Sequence, residues 1–206
     1  MDLPRGQGGQ VSFQDNAGPA RHCRLCVIYN DRCVYKALSM FTLTLMRHAK
    51  SDWQYDLPDI DRPLNKRGRR DALAMGKHLR QINALPDRLL VSPAQRTRET
   101  AELLLQSTEQ KPEIIVDNEL YLASRETLLE LAEAYAIPDQ RLMLLAHNPG
   151  MDDAVSFLPN EAPPLSSSGK LMTTCAVALF EYNATSDLHR PNRCRLTALI
   201  RPEDID

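Results

Sequence analysis

Phe41-Thr42-Leu43-Thr44-Leu45-Met46-Arg47-His48 is a short apolar run that stops at two basic residues. Its first six residues are β-branched, aromatic or long aliphatic, with no turn former among them, which reads as a buried strand. A second run of this kind, Arg141-Leu142-Met143-Leu144-Leu145-Ala146, ends at His147. A third, centred on Leu89-Leu90-Val91, leads through Ser92-Pro93-Ala94-Gln95 to Arg96. In an open, mostly parallel α/β sheet, ligands bind outside the carboxyl ends of the strands. Three such ends would gather Arg47, His48, Arg96 and His147 into one basic pocket. Guanidinium groups there suit phosphate, and a neutral imidazole suits nucleophilic attack on phosphorus.

Outward from these runs, strand and helix alternate. Strands are expected at 41–46, 87–91, 113–116, 141–146, 174–181 and 193–200. Ala72, Met75, Leu79 and Ile82 recur at helical spacing, as do Leu128, Leu131, Ala132 and Tyr135. A third helix is expected to open at Ser92-Pro93-Ala94-Gln95, with Ser92 as cap and Gln95 completing a capping box. A fourth opens at Asn148-Pro149-Gly150-Met151, with Asn148 as cap and Pro149 in the first turn. The alternation implies an α/β fold, a three-layer α/β/α sandwich around a mostly parallel sheet. The last two strands are placed to pair as a hairpin at one edge.

Residues 1–39 read differently. They hold four of the eight glycines and three of the five cysteines, with no lasting period. They are expected to be a weakly ordered extension, arising from an upstream start site, before a domain over 40–206. The chain has 25 basic and 27 acidic residues, a net charge of −2, which argues against nucleic acid or an anionic membrane as a bulk partner. No apolar run is long enough for a membrane span, and no secretory core is visible. Irregular cysteines point to a reducing, cytoplasmic setting rather than a disulfide framework. Cys23-x-x-Cys26 has no second matching pair, so no metal or cofactor is expected. The Cys26-x5-Arg32 spacing lacks the glycine-bearing loop a cysteine-dependent phosphatase needs, and Asn183-Ala184-Thr185 is a sequon without consequence in the cytoplasm.

The segment Leu45-Met46-Arg47-His48-Ala49-Lys50-Ser51-Asp52-Trp53 resembles the arginine–histidine signature of the histidine phosphatase superfamily, most closely its small SixA-type phosphohistidine phosphatases. The resemblance continues through 61–68 (DRPLNKRG), 92–101 (SPAQRTRETA) and 147–150 (HNPG), in the expected order. It implies a phosphoglycerate-mutase-like fold, a phosphorylated His48, and a phosphoryl cradle of Arg47, Arg96 and His147, without metal. Arg62 matches an arginine that lies near the phosphate in the family, although an ion pair with Asp59 or Asp61 explains it equally well. Ser51 and Asn148 are further candidates for substrate contact, with Lys50 beside Ser51.

The match departs from the superfamily at one position. Many members carry a leaving-group acid in an L-x-E pattern after the third strand, and here that position is Leu122, in DNELYL. Glu119, Asp52, Asp59 and Asp61 are the acids left to consider. The stretch 117–140 is also too short to supply a lid beyond its helix. Both features favour a phosphoramidate, whose imidazole leaves already protonated, over an alkyl ester that needs an acid. The expected activity is hydrolysis of a phosphohistidine on a partner protein domain, by a monomer, through phospho-His48. The alternatives are a phosphatase of small phosphomonoesters and a phosphate-binding module without turnover.

Overall fold

The computed structural model describes residues 24–29, 32–37, 40–54, 56–106, 108–109, 111–182 and 188–205. Expectations that fall on residues 1–23, on side chains within 24–37, or on 183–185 lie outside the described residues. Strands β1 (Arg24–Tyr29) and β2 (Arg32–Ala37) form a two-stranded antiparallel sheet of their own. The remaining strands are β3 (Phe41–Arg47), β4 (Arg88–Val91), β5 (Glu113–Val116), β6 (Arg141–Ala146), β7 (Val177–Tyr182) and β8 (Arg195–Ile200). They make one six-stranded sheet in the order β5-β4-β6-β3-β7-β8. The first four are mutually parallel, while β7 adds antiparallel to β3 and β8 antiparallel to β7. The anticipated edge hairpin is present.

Helices α1 (Lys66–Gln81) and α2 (Gln95–Leu105) cover one face, and α3 (Arg125–Tyr135) and α4 (Gly150–Phe157) the other. Two apolar clusters follow from this layering. Met46, Met143 and Leu145 meet Met75, Leu79 and Leu104 below the sheet, while Leu43, Leu45 and Leu144 meet Leu128, Ala132 and Val155 above it. The central strands β3 and β6 are thus apolar on both faces, as strands enclosed by helices must be. The fold is the three-layer, phosphoglycerate-mutase-like α/β sandwich.

Three local expectations give way to tertiary contacts. Ile82 lies just past the end of α1 and is exposed, so it is no part of the buried stripe. Ser92 does not cap α2, whose cap position is Ala94 with no side-chain bond; its hydroxyl is taken by His147. Gln95 bonds Glu99 along the helix instead of closing a capping box. Asn148 likewise does not cap α4, which starts at Gly150 with Pro149 as its cap residue; the Asn148 amide donates to Asp152 Oδ2 at 2.7 Å.

Candidate active site

The chain reverses sharply after β3, and backbone bonds fix the turn. His48 N–H donates to the Ala146 carbonyl (3.1 Å) at the end of β6. Arg47 N–H donates to Ala176 (3.1 Å), and Cys175 N–H donates to the His48 carbonyl (3.0 Å). Ala49 N–H donates to Thr100 Oγ1 (3.1 Å), whose own hydroxyl donates to the Arg96 carbonyl (2.6 Å). Helix α2 therefore holds the loop after His48 with one threonine and sends Arg96 into the pocket one turn earlier. The start of α1 closes the other side. A Cβ on Gly68 would sit 2.2 Å from the Lys50 carbonyl oxygen, so only glycine allows this approach.

His48 is set for attack. A carbonyl only accepts, so the 2.7 Å contact between Nδ1 and the Ala49 oxygen places the ring proton on Nδ1. Nε2 is left with its lone pair toward the pocket, 3.3 Å from Arg96 Nε. Burial, reinforced by Arg96, Arg47 and Arg62 and opposed by the Ala49 bond, holds His48 down at about 3. The ring is neutral at physiological pH.

His147 sits with its ring centroid 5.1 Å from that of His48. Its Nδ1 faces Arg96 Nη2 at 3.1 Å, and a guanidinium only donates, so the proton lies on Nε2 and is given to Ser92 Oγ at 2.7 Å. Burial, with His48 and Arg96 against a smaller opposing effect of Asp59, brings His147 to about 3 as well. Arg96, 2% exposed, thus joins both histidines. Arg47 donates from Nη1 to the Met172 carbonyl at 2.7 Å.

Asp59 is the centre that the sequence left unresolved. Its carboxylate accepts from Arg96 Nη2 (2.9 Å), Arg62 Nε (3.1 Å) and the Tyr121 hydroxyl (2.7 Å), and its carbonyl accepts from Arg96 Nη1. Burial pushes the carboxyl up, but Tyr121, Arg62 and Arg96 outweigh it and hold it well below the ordinary carboxylate range. Tyr121 is raised, by burial and by Asp59, and keeps its proton. Arg62 also donates to Ser51 Oγ (3.2 Å) and lies 3.5 Å above the Trp53 ring. Arg62 makes the ion pair with Asp59 and also lines the pocket.

All seven residues singled out in the sequence, Arg47, His48, Ser51, Arg62, Arg96, His147 and Asn148, line one open cavity of about 290 Å³. Asp59, Trp53 and Leu122 share its wall, while Asp52, Asp61 and Glu119 do not. Ser92 and Tyr121, which the sequence does not single out for the site, bond His147 and Asp59 at its edge. Ser92 looked like a cap, and Tyr121 was hidden beside the conspicuous Leu122. Among the described residues, no group of three or more His, Cys, Asp or Glu is placed to hold a metal, and no helix is long and apolar enough to cross a membrane.

A mostly parallel α/β sandwich here brings two histidines and three arginines to one pocket, an arrangement whose chemistry suits a phosphoryl group. Residues 43–121 match the model of the histidine phosphatase superfamily (branch 1). A chloroplastic protein of Arabidopsis thaliana is 29% identical over 180 residues, covering 78% of each chain. A solved structure from Agrobacterium tumefaciens, assigned as the phosphohistidine phosphatase SixA, is 26% identical with a TM-score of 0.63, covering 79% of this chain and 99% of that one. A counterpart from Nakamurella multipartitia shares the fold at 24% identity and a TM-score of 0.66, over 79% and 96% of the chains. Phosphoserine and glucosyl-3-phosphoglycerate phosphatases share the fold at lower identity.

Proposed function

We propose that this phosphatase hydrolyses a phosphohistidine carried on a partner protein, passing the phosphoryl group to His48 Nε2 and then to water. The observation that carries the reading is the His48 ring itself, with Nδ1–H on the Ala49 carbonyl and an unprotonated Nε2 that accepts from Arg96 Nε. In the first step the Nε2 lone pair forms a bond to phosphorus as the substrate P–N bond breaks. The leaving imidazole takes that electron pair and, protonated at its other nitrogen, departs neutral. Arg47, Arg62 and Arg96 face the equatorial oxygens, where charge accumulates. In the second step a water oxygen bonds to phosphorus as the P–Nε2 bond breaks, the electron pair returns to His48, and both water protons leave on the released inorganic phosphate. Because Nδ1 keeps its proton on Ala49, phospho-His48 is cationic at the ring and leaves as neutral imidazole.

Two features support phosphohistidine over an ester. Leu122, where an acid would stand, is exposed at the pocket edge, and the nearest carboxyl, Asp59, is ionised by its partners and has no proton to give. The cavity is open, with Trp53 (71% exposed) and Leu122 (54% exposed) on its rim, which suits a side chain presented by a protein surface. A reducing compartment belongs to this reading, in which Cys175 is a buried thiol. One observation favours small phosphomonoesters instead. Tyr121 keeps its proton and points at Asp59 beside the pocket, so it could serve a leaving alkoxide. Phosphate release from a phosphohistidine-bearing carrier domain and from a panel of phosphomonoesters, without added metal, decides between them. Preference for phosphohistidine, lost in His48→Ala, upholds the proposal. Equal or faster ester turnover, sensitive to Tyr121→Phe, transfers it to small esters, and phosphate binding without turnover leaves a binding module.

A further inference from the structure

A second cavity, of about 330 Å³, opens beside the reaction pocket and shares Arg47, Lys50 and Thr174 with it. Its walls add Arg67 from the start of α1 and Lys170 from the loop before β7, with hydroxyls of Ser168 and Thr173. Four cations therefore face one carboxylate, Glu203, on a chain whose net charge is −2. Lys50 and Lys170 have no ion-pair or hydrogen-bond partner for their side chains among the described residues. Among the described residues Arg67 is held only by Asp71 at 3.2 Å, with most of its side chain exposed.

The loop that carries Lys170 is anchored in place. Ser166 N–H donates to the Lys170 carbonyl (2.8 Å), Lys170 N–H returns to Ser166 Oγ (3.0 Å), and Gly169 at φ +73° closes the turn. Arg201, 5% exposed, donates to the carbonyls of Pro164 and Leu171 from beneath. Lys170 on this anchored loop and Lys50, both without a side-chain partner among the described residues, line a cavity that shares three residues with the first pocket and are arranged for a second negative group.

We propose that this cavity is an anion subsite that takes a carboxylate or second phosphoryl group on the same substrate molecule whose phosphoryl group faces His48. The proposal rests on the phosphoryl reading of the first pocket and adds a recognition element to it. Two anchors on one molecule bind far more tightly than either alone when the spacing fits.

The test is calorimetric binding of methylphosphonate, alkane bisphosphonates of increasing length and the matching phosphonocarboxylates to the wild-type chain, Lys170→Gln, and the Arg67→Glu/Lys170→Glu pair. The expected result is one linker length that binds about tenfold or more tightly than methylphosphonate. That gain should shrink in Lys170→Gln and vanish in the double charge reversal. A gain for phosphonocarboxylates alone identifies a carboxylate, and a gain for bisphosphonates alone identifies a phosphoryl group. No gain at any length, or a gain that survives charge reversal, overturns the subsite while methylphosphonate binding keeps the first pocket intact. Failure of methylphosphonate itself to bind overturns both.

Discussion

A histidine attacks phosphorus only while its ring is neutral and the attacking nitrogen is free of a proton, and His48 meets both conditions through one backbone oxygen. With Nδ1–H committed to Ala49 and burial holding the ring at about 3, protonation of His48 does not limit the enzyme near pH 6. On a substrate of known ionisation, the enzyme's own acid limb in kcat/KM should fall below pH 5; an enzymic limb at about 6.5 would contradict this tautomer and environment. His48→Ala should cut turnover by about 10³-fold or more with the fold unchanged by circular dichroism. Arg96 contacts both histidines and Asp59 at once, using a planar fork that lysine does not have. Arg96→Lys should therefore lower kcat/KM by about 10²-fold, and a loss below threefold would deny it a role in the transition state. Asp59 holds Arg62 and Arg96, so under the proposed function it would compete with phosphate for them while also aiming them. Asp59→Asn should tighten inhibition by inorganic phosphate several-fold and still reduce kcat, a split that steady-state inhibition kinetics resolves.

The site is assembled by segment ends, and much of that assembly was readable before any coordinates. The strands before His48, Arg96 and His147 are dense apolar runs, and burial between two helix layers demands that pattern. Their shared direction follows from the helix between each pair, so the four pocket residues could be gathered from sequence. Contacts that cross between elements were not legible. Ser92 has the chemistry of a helix cap and sits where a cap belongs, yet the His147 ring claims its hydroxyl. Asp59 and Tyr121 are 62 residues apart, and nothing local to either announces their 2.7 Å bond. The same holds for Gly68, whose role is the packing of α1 against the Lys50 carbonyl. Gly68→Ala improves helix propensity but forces a clash with backbone, so it should destabilise the domain by about 1–3 kcal/mol in urea unfolding. It should also lower kcat by displacing the loop after His48. A more stable Gly68→Ala variant would show that this approach is not close in solution.

Across the whole molecule, stability is coupled to pH by the same burial that readies the site. His48 and His147 each ionise at about 3 in the folded chain and near 6.5 in the unfolded one. Between those values the unfolded state binds more protons, so stability rises with pH and is lost as pH falls from about 6.5 toward 3. Each histidine contributes a slope of up to about 1.4 kcal/mol per pH unit in that window. Asp59 is shifted down by Tyr121, Arg62 and Arg96 and Asp87 by Arg141, and their stabilisation, present above the unfolded carboxylate range, fades only as pH falls below about 4. The interval from pH 6 to 4.5 is thus the histidines' own. Urea midpoints should drop steeply across it in the wild-type chain, and His48→Asn/His147→Asn should flatten that drop while leaving the fall below pH 4 in place. An equally steep wild-type and double-variant response from pH 6 to 4.5 would mean that other groups carry the coupling, and that the two rings are not held neutral by the fold.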